Sequence, residues 1–353
     1  MNDRASIVIL GIGARTPLGQ TAAASAAAVR AGVSVIQDHP FMIDQFGEPM
    51  KVTRDHWLRT DLLGSQRAVE LAVGPALDAL APLNGTRFHE PISLLIATGE
   101  DRPGQSSGHG EAVYAGVEAA LAHHGYMLVG DFMAGGHSGG IVAMSLARDM
   151  LAQGRTRLCL VGGIDSWLEP ETLEWLDDAE QLHSNGNRYG FCPGEAAAFC
   201  LLATRSTAIE LGCRPLLDLR AVATAREDKC IKTDTVCLGE ALAATFQSLF
   251  EQESANEPRI DRIVCDMNGE RYRANEYGFA VLRSRRRFRD AADFEAPADC
   301  WGDVGAASGP LFVALVNEAY SRGYSRGPLS MIWASSEGGG RAAALLSETR
   351  KGA

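Results

Sequence analysis

Gly135-Gly-His-Ser-Gly-Gly-Ile-Val-Ala-Met-Ser-Leu-Ala-Arg-Asp-Met-Leu-Ala-Gln-Gly154, followed by Arg157-Leu-Cys-Leu-Val-Gly-Gly163, reads as a glycine-opened apolar helix that runs into a buried strand. The pattern predicts a helix over Ser138 to Gln153 and a strand over Arg157 to Val161. It returns 169 positions later. Gly309 opens a second helix that ends at Gly323 and leads into Leu329-Ser-Met-Ile-Trp333 and the run Gly338-Gly-Gly340. A second match sits at an offset of 170: Ile92-Ser-Leu-Leu-Ile-Ala-Thr-Gly-Glu100 against Arg262-Ile-Val-Cys-Asp-Met-Asn-Gly-Glu270. Self-similarity at one spacing indicates a duplicated supersecondary unit, so two βαβ-containing halves are expected, 1–204 and 205–353.

Around these anchors, strand-like and helical runs alternate. Strands are expected at Ser6–Ile12, Ile92–Thr98, Leu217–Thr224, Ile263–Met267 and Leu329–Ala334, and helices at Ala22–Ala31, Gly239–Glu251 and Leu311–Arg322. Such alternation predicts an α/β fold with helices on both faces of a sheet. In a duplicated α/β unit the natural place for a site is where strand ends and helix N-termini of the halves meet. Gly135 to Gly140 and Trp301 to Gly309 are those places. The unsatisfied N–H groups of a helix start favour an anion, a thiolate or a carbonyl oxygen there.

Composition narrows the function. The 353 residues are 46% hydrophobic, with a formal net charge of -11. That charge argues against a general nucleic-acid binder, which needs clustered Lys and Arg. No membrane span and no N-terminal signal peptide are expected, because the apolar run Ile7 to Leu10 is short and broken by glycines. The eight cysteines show no C-x-x-C pair and are read as buried thiols in a reducing, cytoplasmic setting, with no metal site and no cofactor.

Several segments carry a family likeness. Ile7-Val-Ile-Leu-Gly-Ile-Gly-Ala-Arg-Thr-Pro-Leu-Gly19 resembles the opening strand and turn of β-ketoacyl synthases of the thiolase superfamily. Val161-Gly-Gly163 resembles a later strand end, and Asn187-Arg-Tyr-Gly-Phe-Cys-Pro-Gly-Glu-Ala-Ala-Ala198 resembles the family's Gly-Phe-x-x-Gly-Glu-Gly segment. Asn268-Gly-Glu270 and Gly305-Ala-Ala307 are similar to two further motifs, in the family's order. The resemblance implies thiolase-like duplicated α/β halves in a layered α-β-α-β-α architecture.

The same resemblance places the family's reactive Cys-His-His triad on residues that differ. Gap-free counting puts His137 at the cysteine position, Asn268 at the first histidine and Gly302 at the second. Ser138 would take the nucleophile position if the count is one residue off. The gating loop reads Ser336-Glu337-Gly338-Gly339-Gly340 and lacks its phenylalanine, and the chain is shorter between Leu62 and Ile92, so a shallower or reshaped pocket is expected.

His137 is read in two ways: a nucleophile or base kept neutral by the helix dipole, or a hydrogen-bonded histidine filling the vacated site, the second being preferred. Asn268 retains the capacity to donate to a carbonyl oxygen. Asp303, Glu270 and Glu337 are read either as acid–base carboxylates at one mouth with Ser138 and Phe191, or as solvated loop acids, the second being preferred. Cys192 is taken as structural. Arg283, Arg285, Arg286, Arg287 and Arg289 form the basic cluster of an acidic chain, a surface for an acidic partner or a plain solvated segment. Gly11-x-Gly13 and Gly338 to Gly340 are explained by tight turns.

Three functions remain. The leading one is a ketosynthase-like, non-catalytic binding or assembly partner, akin either to chain-length-factor subunits or to thiolase-like accessory proteins of bacterial secretion cargo, which Asp299-Cys-Trp-Gly-Asp-Val-Gly-Ala-Ala-Ser-Gly309 resembles. The alternatives are an acyltransferase or thioester hydrolase using His137, and an acyl-chain or small-molecule binder. The resemblance implies a homodimer or a heterodimer with a related subunit, with an acyl carrier or a secretion-cargo protein as further partner.

Overall fold

The computed structural model describes residues 6–231, 235–253 and 259–349. In the first half the order is β1 (Ile7–Arg15), α1 (Ala22–Arg30), β2 (Gln37–Ile43), β3 (Pro49–Val52), α2 (Gly64–Leu80), β4 (Ile92–Thr98) and α3 (His109–His123). It continues with β5 (Leu128–Ala134), α4 (Gly136–Ala152), β6 (Leu158–Ser166), α5 (Pro170–Asp178), β7 (Glu195–Thr204) and α6 (Arg205–Leu211). The second half runs β8 (Leu217–Arg226), α7 (Glu240–Glu251), β9 (Arg262–Cys265), α8 (Arg271–Ser284), β10 (Phe294–Glu295), α9 (Ala298–Trp301), α10 (Ser308–Ser321), β11 (Leu329–Ser335) and β12 (Gly340–Glu348). The position between 204 and 205 falls between β7 and α6, and α6 packs on β1 and β7 of the first half.

Ten strands hydrogen-bond in the order β10-β9-β11-β12-β8-β1-β7-β6-β4-β5. Read outward from the middle, each half repeats the other: β1-β7-β6-β4-β5 against β8-β12-β11-β9-β10. The sequence repeat maps onto this symmetry, since β4 and β9, α4 and α10, and β6 and β11 hold equivalent places. The halves do not form two separate sheets pressed together. They are joined by a short antiparallel seam, Ile7 to Leu219, Val8 to Asp218 and Ile9 to Leu217, and β1 then shifts register between Ile9 and Gly11 while it stays paired with β7.

The strand period of two sorts residues into layers. On β7, Ala196, Ala198, Cys200 and Leu202 face the central core, while Ala197, Phe199, Leu201 and Ala203 face the outer cluster under α2 and α3. On β12, Ala342, Ala344 and Leu346 face the central core, and Ala343 and Leu345 join Phe246 of α7 and Trp333 on the other side. Helices α4 and α10 lie in the middle, packed against strands of both halves. Helix, sheet, helix, sheet, helix is the resulting stack.

The middle layer explains the glycines related by the repeat. A Cβ on Gly140 would come 2.5 Å from Pro310 Cδ, and one on Gly309 would come 2.8 Å from Ile141 Cγ1. Helices α4 and α10 therefore cross at these two glycines, and the close approach brings their N-terminal ends together. Among the described residues no helix is long and apolar enough to cross a membrane.

Candidate functional site

The site grows from the N-terminus of α4, the turn before α10, the β9–α8 connection and the β11–β12 hairpin. His137 stands on the first turn of α4 and is 3% exposed. Its Nε2 lies 2.8 and 2.9 Å from the two Asp303 carboxylate oxygens. Asp303 also accepts from the Gly305 N–H at 2.9 Å and from Asn268 Nδ2 at 2.7 Å. The same Asn268 nitrogen donates to Glu270 Oε2 at 2.9 Å, and the Asn268 carbonyl accepts from the Glu270 N–H.

Arg273, on α8, completes the network from below. Its Nη1 donates to Asp266 Oδ2 at 2.6 Å and to the Ser335 carbonyl at 2.7 Å, its Nε to Glu270 Oε2 at 3.2 Å, and its Nη2 lies 3.3 Å from His137 Nε2. Gln181 Nε2 bridges Glu270 and Glu337 at 3.4 and 3.1 Å. The Ser138 N–H and hydroxyl both donate to Ser336 Oγ, at 2.9 and 2.8 Å, and the Ser336 hydroxyl donates to the Gly135 carbonyl at 2.7 Å. That last contact ties the β11–β12 turn to the start of α4, so the Gly338 to Gly340 run is a hairpin turn.

Electrostatics corrects two sequence expectations. Burial alone would lower the His137 pKa and Arg273 acts the same way, but the Asp303 carboxylate raises it above its ordinary value, against the direction expected from the helix dipole alone. Burial would raise Asp303, yet His137, Arg273 and the Gly305 N–H hold it well below the usual carboxylate range. Asp303 and Glu270 are 4% and 6% exposed and are not solvated loop acids. Burial first, and Glu337 with it, pushes the Glu270 carboxyl up against the pull of Arg273. Only Glu337 is half-buried.

The three positions implied by the resemblance are each committed. The His137 nitrogen facing Asp303 is engaged, and the adjoining cavity, lined by His137, Asp266, Trp301, Asp303 and Ser308, encloses about 10 Å³. That is about the least space that holds one water. Asn268 has two amide hydrogens, and Glu270 and Asp303 take both, which corrects the expectation that it can donate to a carbonyl oxygen. Gly302 has φ +76°, and a Cβ there would meet Thr53 Oγ1 at 2.5 Å and the Cys192 carbonyl oxygen at 2.9 Å. The side chain this loop sends inward is that of Asp303, one residue later. The cavity beside His137 is small, about 10 Å³, where a shallower or reshaped pocket was expected.

An aromatic layer lies next to the network. The Trp167 ring centre is 6.1 Å from that of His137 and 5.5 Å from that of Phe191. The Arg102 guanidinium stacks 3.9 Å over Trp167 and pairs with Asp165, whose other oxygen accepts the Ala306 N–H at 3.0 Å. Cys192 contributes its carbonyl to the Asp303 N–H, and burial pushes its thiol up to about 11, the range of an inert thiol.

Sequence reasoning missed Arg273, Asp266, Gln181, Trp167, Arg102 and Asp165. The available signal was charge where none belongs: Asp266 follows the apolar run Ile263-Val-Cys265, and Asp165 ends the apolar β6. The basic cluster lies apart from this centre. Arg283 donates to the Leu238 carbonyl, Arg287 lies 4.9 Å over Phe250, Arg289 pairs with Asp261 at 2.6 Å, and Arg285 and Arg286 are exposed. With Glu240, Gln247 and Leu282, Arg283 to Arg287 line a groove of about 1210 Å³ against α7.

The family model of the beta-ketoacyl synthase N-terminal domain matches residues 133–208, from the end of β5 into α6. No curated protein matches the sequence. Solved structures match over nearly the whole chain. One is a type II PKS acyl-carrier protein in complex with its ketosynthase bound to the hexaketide (TM-score 0.81, 13% identity, 98% of this chain and 99% of that one). Another is a beta-ketoacyl synthase from Burkholderia phymatum (TM-score 0.76, 17% identity, 98% and 100%), and a third is the ishigamide ketosynthase/chain length factor (TM-score 0.70, 19% identity, 98% and 100%). The chain has a ketosynthase-like α/β fold.

Proposed function

We propose that this ketosynthase-fold chain is a non-catalytic binding or assembly partner and not a condensing enzyme. The observation that carries the reading is the closed centre: His137 is locked by Asp303 beside a cavity of about 10 Å³. An acyl-accepting residue needs a lone pair directed at open space and a channel for the chain it takes. A His137 ring hydrogen-bonded to Asp303 in a space for one water has neither. Residues 1–204 and 205–353 are proposed as its two structural halves.

The partner side of the proposal has three supports. The ishigamide match is a ketosynthase/chain length factor, and another match is a ketosynthase in complex with its acyl-carrier protein. Strand β5 ends the sheet with Val129 63% and Met127 52% exposed, an open edge suited to pairing with a second copy or a related subunit. Exposed Arg285 and Arg286 form a face for an acidic partner such as a carrier or a cargo protein.

A second reading rests on the His137–Asp303 pair itself, because a carboxylate orienting an imidazole is the arrangement of a general base. Intact-mass spectrometry with a panel of acyl-CoA and acyl-carrier thioesters, alongside release of free thiol, separates the two. The proposal expects no adduct and no release. Turnover or an adduct that disappears in His137→Ala overturns it in favour of a thioester hydrolase or acyltransferase.

A further inference from the structure

Away from the closed centre, three segments bring metal-ligating groups together at the far side of the second half. Glu227 follows β8, Cys237 precedes α7, and Glu276 lies on α8. One carboxylate oxygen of each glutamate and the Cys237 Sγ lie within 4.8 Å of one another. Glu227 is 4% exposed and Glu276 is fully buried, while Cys237 is half-buried. Glu276 Oε1 accepts from Arg341 Nε at 2.5 Å, but its Oε2 is buried without a hydrogen-bond partner among the described residues. A buried carboxylate oxygen left unpaired is costly, and it calls for a cation or a water.

We propose that Glu227, Cys237 and Glu276 form a binding site for one divalent cation of the zinc class. The charge count supports it: a Cys237 thiolate, two carboxylates and the Arg341 guanidinium sum to minus two, which one divalent ion balances in a buried place. A thiolate in the set favours zinc or cobalt over magnesium or calcium. Three protein ligands leave a fourth, tetrahedral position for water on the half-buried side of Cys237. On binding, the Cys237 thiol gives its proton to solvent and the sulfur lone pair goes to the ion.

Arg341 then acts as the outer partner of a ligating carboxylate and fixes its orientation. It also donates to the Ser336 carbonyl at 2.7 Å, and the Glu227 N–H donates to the Gly339 carbonyl at 2.8 Å. The ion would therefore tie Glu227 and Cys237 to α8, beside the hairpin turn that anchors Ser138. Its role would be structural, because it ties the end of β8 to α8.

The test is a titration of the metal-stripped full chain with Co²⁺. A thiolate-to-cobalt charge-transfer absorption saturating at one equivalent, displaced by Zn²⁺, is expected. It is lost in Cys237→Ser and kept in Cys230→Ser, and Glu227→Gln binds more than tenfold more weakly. The absence of the band in the wild-type chain overturns the site, as does a band that survives Cys237→Ser or an affinity unaffected by Glu227→Gln. Cooperative melting of the metal-free Cys237→Ser chain at the wild-type temperature shows that loss of the band is not loss of the fold.

Discussion

His137 Nε2 and the Asp303 carboxylate, 166 positions apart, meet at 2.8 Å inside the molecule, one from the first turn of α4 and the other from the turn before α10. The pair is a structural joint between the two halves as well as the chemical centre of the site. Removing one member leaves its partner buried without its main hydrogen-bond partner.

Asp303→Asn removes the carboxylate that His137 Nε2 faces, with the Arg273 guanidinium 3.3 Å from the same nitrogen. Breaking one side of a buried pair costs about 3–5 kcal/mol. Urea unfolding is expected to show a loss of that size, partly restored in the His137→Gln, Asp303→Asn double variant because the two sites are coupled.

The pair also sets a pH dependence. The folded His137 pKa lies above its ordinary 6.5, so its contribution is complete below that value and is lost as pH rises through the folded pKa. The folded Asp303 pKa lies below its ordinary 3.8, so its contribution is complete above that value and is lost as pH falls through the folded pKa. Between the two ordinary values both contribute fully. Urea midpoints measured from acid to alkaline pH are expected to separate wild type from His137→Gln most between those limits, with the gap narrowing on the alkaline side; a gap that widens with pH contradicts the assignment.

Gly302→Ala puts a Cβ at positive φ against Thr53 and the Cys192 carbonyl. Backbone strain of this kind costs about 1–3 kcal/mol, and the displacement is transmitted to Asp303 next door. A drop in melting temperature is expected, larger than that of Gly212→Ala, where positive φ is the only obstacle because nothing lies within 4 Å of the added Cβ.

If the open edge of β5 carries the subunit contact, Val129→Asp shifts the chain from dimer to monomer in sedimentation while leaving the melting curve of the monomer cooperative. A wild-type monomer at micromolar concentration counts against the contact. Arg285→Glu with Arg286→Glu is expected to slow association with an acidic partner and to remove its salt dependence.

The duplicated plan was legible because its marks are local: apolar helices opened by glycine, strands ending in Gly-Glu, and offsets of 169 and 170 that agree to one residue. Gly140 and Gly309 could be paired from sequence, and they cross in the structure. The site was legible only as positions. His137, Asn268, Asp303 and Glu270 meet in the structure, but their electrostatic surroundings were not legible, since Arg273 reaches them from seven residues beyond Asp266 around the α8 turn and no sequence spacing reports a charge delivered from there. The same holds for Glu227, Cys237 and Glu276: with ligands drawn from three separate segments, the cysteines show no motif. Helices α2 and α3 and strands β5 and β12 were not singled out, because alanine-rich or glycine-interrupted runs such as Ala68 to Ala81 carry weak periodicity.

The three-residue seam between Ile7–Ile9 and Leu217–Leu219 has a consequence for how the chain can be taken apart. Cleaving the backbone after α6, near Cys213, leaves two fragments, each with a raw strand border at β1 or β8 and an uncovered central helix. Neither surface can stay in water unaided. Co-expressed, the fragments are expected to reassemble by complementation, with the two borders zipping as the central helices find each other.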